Sequence, residues 1–328
     1  MIDLSQLGWI LIGAGLVLLG EMVGWFYWRY WGRGSIRDYV SKEEEPSGEF
    51  HIVKRVRTPN QRIALVETNG ETWIYANGDV MFSTTEDENM YAEAIIHVPM
   101  AVASKKEKVL IIGGGGGITT REILKYPDVK EVTAVDIDSV MVDFGKNLEP
   151  LVKFNEGSLN NSKVNTVIED GRKYIEDNPV KWDAIFIDIP EPRKEFPELS
   201  RLFSVEFFKL LKERLEPGGV INISCPSFAW VPDYLWSIDA TLVAAGFHVL
   251  PYHFDMIADY EGDFGFCMAT NSPLLSDDIA IQVPTRFLSK ERVQDMYHFS
   301  YNYLRYRSNN KIQTDRNLVL AEIMDVEW

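Results

Sequence analysis

The chain has 328 residues, of which 46% are apolar and 25% charged, a composition typical of a folded protein and not of a disordered one. Its formal net charge of −16 argues against nucleic acid as a partner. The two cysteines, Cys225 and Cys267, lie far apart in the sequence, so the sequence predicts neither a disulfide framework nor a metal site.

The N-terminal segment LGWILIGAGLVLLGEMVGWFYW, residues 7–28, carries Glu21 as its single charge. As a helix it would be about 33 Å long, enough to cross a bilayer core of about 30 Å. Aromatic residues cluster at its end, and Arg29, Arg33 and Arg37 follow, which favours a cytoplasmic location for the rest of the chain. We therefore expect a transmembrane helix over residues 7–31 and a single-pass membrane protein. The alternative is a buried or dimer-forming helix of a soluble protein.

The remaining chain divides by its patterns of apolar residues and turn signals. A charged linker over 32–49 precedes β-branched runs broken by turn signals, which predict a small antiparallel β domain over 50–86. Apolar runs then alternate with helical stretches, so residues 87–274 are predicted to form a Rossmann-like α/β domain of the class I methyltransferase type, with a doubly wound parallel sheet. Residues 275–328 are a tail with one more helix.

Five consecutive glycines, Gly113 to Gly117, follow the first apolar run of this domain. In a doubly wound sheet the first strand–helix turn contacts the ligand, and glycine lets the backbone approach it closely. The turn lacks the GK[ST] of a phosphate-binding loop and does not fit the dinucleotide spacing GxGxxG. Gly113, Gly115 and Gly117 do fit GxGxG, which suits a nucleoside without pyrophosphate, such as an adenosyl sulfonium compound.

Acidic residues follow the next three strands. Asp136 ends one strand, where a carboxylate can accept both ribose hydroxyls, and Asp170-Gly171 follows the next, where it can accept an adenine amino group. Asp188 and Glu191 lie in the turn DIPEP after the fourth strand, and the two prolines restrict its backbone. Paired acids there suit an ammonium group, and one can take a proton from an attacking amine.

The stretches TPNQRIAL, DENMYAE, LIIGGG, REILKYP, AVDID, EDG, FIDIPEP, RLFSVEFF, EPGG and DFGFCMA together resemble the spermidine synthases, or polyamine aminopropyltransferases. The likeness covers roughly residues 50 to 328. It is greatest to the branch whose catalytic domain follows membrane helices. Several motifs in the same order make it more specific than any one of them.

The resemblance implies transfer of an aminopropyl group from decarboxylated S-adenosylmethionine, as a co-substrate, to a diamine such as putrescine. It implies no permanently bound cofactor, and it implies a homodimer. By motif, Asp188 would be the proton acceptor. The residues that would bind the acceptor are Tyr91, Glu191 and Tyr260. Those that would bind the donor are Gly113, Gly115, Gly116, Gly117, Asp136, Asp170, Gly171 and Met81.

Three positions depart from the family pattern. The family's glycine loop reads GGGDG, and its aspartate, which holds the donor's amine, is replaced by Gly116. Met81 stands where the family has a donor-binding glutamine, and Glu191 stands where it has an aspartate. Two alternatives therefore remain open: an S-adenosylmethionine-dependent methyltransferase on the same scaffold, and a non-catalytic protein that binds a polyamine or a nucleoside.

Overall fold

A computed structural model describes residues 51–227, 230–257, 262–274, 276 and 279–326. The predicted transmembrane helix over 7–31, the linker over 32–49 and Tyr260 lie outside the described residues. Within the described ranges, no helix is both long enough and apolar enough to span a bilayer. Contacts divide the chain into two units, Met1–Ser83 and Thr84–Trp328.

The described part of the first unit is a four-stranded antiparallel sheet. Its strands pair in chain order and are β1 (His51–Arg57), β2 (Arg62–Thr68), β3 (Glu71–Ala76) and β4 (Asp79–Ser83). Two-residue turns, Asn69-Gly70 and Asn77-Gly78, join β2 to β3 and β3 to β4, and all four residues have positive φ. Such Asn-Gly turns match the twist of paired strands, so the local sequence alone fixes these two hairpins.

The second unit alternates strands and helices. Its strands are β5 (Lys108–Gly113), β6 (Glu131–Asp136), β7 (Val164–Ile168), β8 (Trp182–Asp188), β9 (Leu215–Ser227), β10 (His248–Ile257) and β11 (Gly262–Thr270). Its α-helices are α1 (Glu86–Val102), α2 (Ile118–Leu124), α3 (Ser139–Asn147), α4 (Glu149–Phe154), α5 (Gly171–Asp177), α6 (Val205–Glu213), α7 (Pro232–Ala244), α8 (Lys290–Asp295), α9 (Tyr301–Leu304) and α10 (Val319–Val326). Three of these, α8, α9 and α10, lie in the tail, where the sequence predicts a single helix.

The seven strands form one sheet in the order β10-β11-β9-β8-β5-β6-β7. The five strands β5 to β9 are parallel, as the alternating pattern predicts. The chain moves outward from β5 to β6 and β7 on one side and to β8 and β9 on the other. The carboxyl ends of β5 and β8 therefore form the switch point where such sheets bind ligands.

The sheet is mixed and not parallel throughout, which corrects the sequence-based prediction. β11 pairs antiparallel with β9, and β10 pairs antiparallel with β11. Only four residues separate Ile257 from Gly262, whereas a parallel crossover needs about a dozen or more. The chain must therefore turn straight back at this edge.

The core lies on both faces of the sheet. Along β5, Leu110 and Ile112 pack into one buried cluster, and Val109 and Ile111 pack into the other. Because side chains alternate across a strand, an unbroken apolar run indicates a strand covered on both faces. This burial holds the end of β5, and the glycines that follow it, in a fixed position.

Helix α1 contains a proline in its interior. Pro99 has no N–H, so the carbonyl of Ile95, four residues earlier, lacks its helical donor. The side-chain amide of Asn222 on β9 donates to that carbonyl at 2.8 Å. The Tyr252 hydroxyl of β10 donates to the neighbouring Ala94 carbonyl at 2.9 Å. The sheet thus supplies the hydrogen bond that the helix lacks.

Candidate active site

The glycine turn connects β5 to α2 at the switch point. Gly113 has φ +92°, and a Cβ there would lie 2.0 Å from the carbonyl oxygen of Asp188. Gly117 has φ +78°, and a Cβ there would lie 2.8 Å from Leu159 and from Ser158. These two glycines are required by the close packing of the protein itself. The packing of the protein therefore accounts for glycine at both ends of the turn.

Asp136 faces the middle of this turn from the end of β6. Its Oδ2 atom accepts a hydrogen bond from the Gly115 N–H at 3.0 Å, and its Oδ1 atom accepts one from the Asp138 N–H at 2.8 Å. A Cβ on Gly115 would lie 2.6 Å from Oδ2, so only glycine permits this approach. Burial raises the pKa of Asp136 to about 6 despite the two N–H donors.

Asp188 ends β8, and its carboxylate pairs with Tyr91 of α1. The phenol donates to Oδ1 at 2.6 Å, a distance typical of a hydrogen bond to a charged acceptor. Burial raises the pKa of Asp188, and the Tyr91 phenol and the neighbouring Thr119 hydroxyl partly offset that rise. Burial and the Asp188 charge raise the pKa of Tyr91 well above its usual value. The phenol of this pair is therefore neutral and donates its proton to the Asp188 side chain.

The two aspartates belong to one electrostatic site. The charge of Asp188 adds to the rise in the pKa of Asp136, after the larger contributions of burial and of Asp138. The Gly114 N–H also donates to the Asp188 carbonyl at 3.3 Å. The glycine turn thus lies between the two carboxylates and contacts both residues.

Asp170 and Gly171 have clear local roles at the start of α5. The Asp170 carboxylate caps the helix by accepting the Lys173 N–H at 2.8 Å. A Cβ on Gly171 would lie 2.4 Å from Ile112, so glycine is needed where α5 packs on β5. Binding of a donor by either residue stays a prediction.

The structure places three further predicted site residues, and their placement does not test their roles. Glu191 is half-buried in the segment after β8, and its charge contributes, after burial, to the raised pKa of Tyr234. Gly116 is buried in the turn, and Met81 lies on β4 of the first unit. Their roles, like that of Tyr260, stay predictions.

Sequence reasoning missed three residues near the strand ends. The Thr119 hydroxyl lies beside the Asp188 carboxylate, and nothing in its spacing indicates this. Ile137 and Ile168 are each 49% exposed although apolar, and they adjoin the ends of β6 and β7. An apolar residue directly after Asp136 is a signal that could have been used, because flat bases pack on exposed aliphatic side chains.

The described residues contain no group of three or more histidine, cysteine, aspartate or glutamate side chains placed to hold a metal ion. What the site offers is two half-buried carboxylates on either side of a side-chain-free turn. Such a site can bind hydroxyl or cationic groups and can accept a proton from a reacting group.

Comparison with protein families relates this site to known proteins. The sequence model of the spermine/spermidine synthase domain matches residues 88–277. A polyamine aminopropyltransferase of Oceanobacillus iheyensis is 32% identical over 76% of this chain and 48% of its own length. Polyamine aminopropyltransferase 2 of Bacillus cereus is 31% identical over 87% of this chain and 77% of its own. The chain thus spans about half the length of the Oceanobacillus relative.

Solved structures show the same fold. The crystal structure of spermidine synthase from Thermotoga maritima aligns with a TM-score of 0.70 and 21% identity, over 79% of this chain and 88% of that one. A crystal structure of spermidine synthase in complex with the transition state analogue AdoDATO aligns with a TM-score of 0.69, 21% identity and coverage of 79% and 87%.

Proposed function

The chain belongs to the spermine/spermidine synthase family, and from that premise we propose that it is a polyamine aminopropyltransferase. The donor would be decarboxylated S-adenosylmethionine, a co-substrate and not a resident cofactor, and the acceptor a diamine such as putrescine. One observation carries the proposal: a half-buried carboxylate, Asp188, is held by Tyr91 beside the glycine turn, at the switch point of the sheet. A transferase that joins a cation to an amine needs such an acid.

In the proposed reaction, the acceptor amine attacks the aminopropyl carbon next to the sulfonium. A carbon–nitrogen bond forms as the carbon–sulfur bond breaks, and the bond's electron pair returns to sulfur to give neutral methylthioadenosine. The proton lost from the amine goes to the carboxylate of Asp188. Holding the two cations together in line supplies much of the rate, because positioning replaces a random encounter.

We assign the surrounding residues by their positions. Asp136, whose Oδ2 atom faces the glycine turn, would accept the ribose hydroxyls, and Asp170 would accept the adenine amino group. Ile137 and Ile168 would pack against the base. The GxGxG spacing and the family resemblance together support Gly113, Gly115 and Gly117 for the donor. The remaining assignments rest on the resemblance alone: Gly116, Gly171 and Met81 for the donor, and Tyr91, Glu191 and Tyr260 for the acceptor.

Replacing Asp188 by asparagine tests the proposal. Turnover, followed by mass spectrometry of polyamine and methylthioadenosine, should fall by at least ~10²-fold, since a positioned base typically contributes that much. Binding of methylthioadenosine should change little. Asp183→Asn is the matched control: Asp183 is a buried aspartate at the other end of β8, where it accepts the N–H groups of Glu107 and Lys108. Full activity of Asp188→Asn, or no product from the unaltered protein with any donor and diamine, would contradict the proposal.

Gly116 favours a second possibility for the donor. An aspartate at this position would repel the carboxylate of intact S-adenosylmethionine, and glycine removes that repulsion. We therefore propose a relaxed choice between the two donors, which also keeps methyl transfer open as the second candidate function. Calorimetry with both compounds decides: similar affinities support the proposal, and a strong preference for the decarboxylated form contradicts it. A screen of methyl acceptors with intact S-adenosylmethionine tests the second function.

We also propose that residues 7–31 anchor the protein in a membrane, with the catalytic body in the cytoplasm, and that the protein is a homodimer. The length of the apolar segment and the arginines after it support the anchor. Carbonate extraction of membranes should leave the full chain in the pellet and release a variant lacking residues 1–49. Light scattering of the detergent-solubilised chain, after correction for bound detergent, should give twice the protein monomer mass.

A further inference from the structure

Arg121 on α2 joins three separate segments of the second unit. Its side chain is buried, at 8% exposure, and each of its nitrogens donates to a different acceptor. The Nε atom donates to the Glu122 carboxylate at 2.9 Å, Nη1 to the carbonyl of Phe154 at 2.7 Å, and Nη2 to the side-chain oxygen of Asn89 at 2.8 Å. One side chain therefore links α2 to α1 and to the end of α4.

The bond to Asn89 leads to the acceptor half of the site. Asn89 lies on α1, two residues before Tyr91, and both are buried in this helix. Tyr91 in turn holds the Asp188 carboxylate at 2.6 Å. A shift of the first turns of α1 would lengthen that hydrogen bond. Arg121 thus contributes to the placement of the proposed base without touching it.

The bond to Phe154 leads to the donor half. The next residue, Asn155, is fully buried, and its amide donates to the carbonyls of Gly116 at 2.8 Å and Gly145 at 2.7 Å. Ser158, three residues further along, donates to the carbonyl of Gly117 at 2.5 Å. The segment after α4 therefore supports the glycine turn through its side chains. Arg121, on the helix that follows the turn, is hydrogen-bonded to the start of this segment at Phe154.

Glu122 keeps the arginine in place. It accepts hydrogen bonds from Arg121, from Lys125 at 2.6 Å and from His97 at 2.7 Å, and it is 1% exposed. Burial alone would raise the pKa of Glu122, but His97, Lys125 and Arg121 lower it to about 2. The carboxylate is therefore ionised at neutral pH. The guanidinium also stacks on the Phe154 ring, 5.2 Å from its centroid.

We propose that Arg121 is a positioning residue that couples the donor and acceptor halves of the site through its separate bonds to Phe154 and Asn89. The identity of the donor and the acceptor rests on the proposed function, and the coupling between their sites rests on the hydrogen bonds of Arg121. Lysine retains the charge but has a single nitrogen, so it cannot reach three acceptors in the fork that a guanidinium provides. Arg121→Lys should therefore weaken both halves together.

Three variants separate the two branches. Asn155→Ala should weaken methylthioadenosine binding about tenfold and leave the pH dependence of turnover unchanged. Asn89→Ala should shift the acid limb of the pH–rate profile upward, because the Tyr91–Asp188 bond loosens, and should leave nucleoside binding unchanged. Arg121→Lys should weaken methylthioadenosine binding about tenfold and should also shift the acid limb upward, because it loses one charge-assisted hydrogen bond to each half of the site. An Arg121→Lys variant that alters one half alone would overturn the proposal.

Arg214→Lys is the matched control. Arg214 also donates to backbone carbonyls, those of Ile175 and Asn178. It lies where β8 begins, at the amino ends of the parallel strands and so at the opposite end from the site. It should change neither readout. If it reproduces the Arg121→Lys effects, these reflect general stability and the proposal fails.

Amide hydrogen exchange tests the coupling without any substrate. In the unliganded protein, Arg121→Lys should speed exchange in peptides covering both 113–120 and 86–95, and Arg214→Lys should not. Unchanged exchange in either peptide contradicts the coupling. Absence of turnover in the unaltered protein would instead count against the proposed function and leave this result valid.

Discussion

Replacing Tyr91 by phenylalanine removes one oxygen atom and leaves the ring in place. The ring packs edge-on against Phe264 and at a tilt against Phe266, with ring centroids 5.2 Å and 5.9 Å away, so its position should hold. The lost hydrogen bond stabilises the ionised form of Asp188. A hydrogen bond to a charged group is worth ~1.5–3 kcal/mol and one to a neutral group ~1 kcal/mol. The difference, about 0.5–2 kcal/mol, corresponds to about one pKa unit upward for Asp188.

The assay is the pH–rate profile of kcat/KM for the diamine at saturating donor. Because the amine also titrates, the ratio of variant to unaltered enzyme is plotted, and this ratio cancels the contribution of the substrate. The ratio should fall as the pH falls, because the acid limb of the variant's profile is displaced upward by about one pH unit. Tyr297→Phe, which removes a buried hydroxyl that has no hydrogen-bond partner, is the control. A flat ratio, or a limb displaced to lower pH, would refute the assignment of the Tyr91–Asp188 bond.

Two further predictions concern the glycine turn and the acid it contacts. The pKa of Asp136 is about 6 in the folded protein and ~3.9 in a free aspartate, so ionisation of Asp136 should cost stability as the pH rises from about 4 to about 6. Asp136→Asn should remove this loss, which amounts to up to ~3 kcal/mol in the free energy of unfolding by urea between pH 4 and pH 7. It should also weaken methylthioadenosine binding at least about tenfold. An unchanged pH dependence of stability would count against the raised pKa of Asp136. Gly113→Ala should destabilise by more than ~4 kcal/mol, because its Cβ would lie 2.0 Å from a carbonyl oxygen. Gly157→Ala, where φ is +66° and no atom lies within 4 Å of the new Cβ, should cost only ~1–2 kcal/mol; equal unfolding midpoints for the two variants would show that steric contact is not the cause.

Much of the second unit could be predicted because its signals are local. Unbroken apolar runs such as residues 109–112 indicate strands buried on both faces, and turn residues mark where each run ends. Asp136 and Asp188 could be placed near each other because the carboxyl ends of parallel strands lie on the same side of a sheet. The Rossmann-like fold could therefore be predicted without knowledge of tertiary contacts.

The remaining features depend on contacts between distant parts of the chain. Tyr91 and Asp188 are 97 residues apart, and no spacing rule predicts their hydrogen bond. No local pattern predicts that Ile112 of β5 excludes a side chain at Gly171. The antiparallel edge formed by β10 and β11 was missed because apolar runs carry no strand direction.

The proline in α1 has a consequence for how this chain can change over time. A residue other than proline at position 99 would bring an N–H to the Ile95 carbonyl, which then would be shared with the Asn222 amide. Asn222 can be lost only if some other donor reaches that carbonyl. Two residues 123 positions apart are thus coupled, because a sheet side chain completes a helix that its own backbone leaves unfinished.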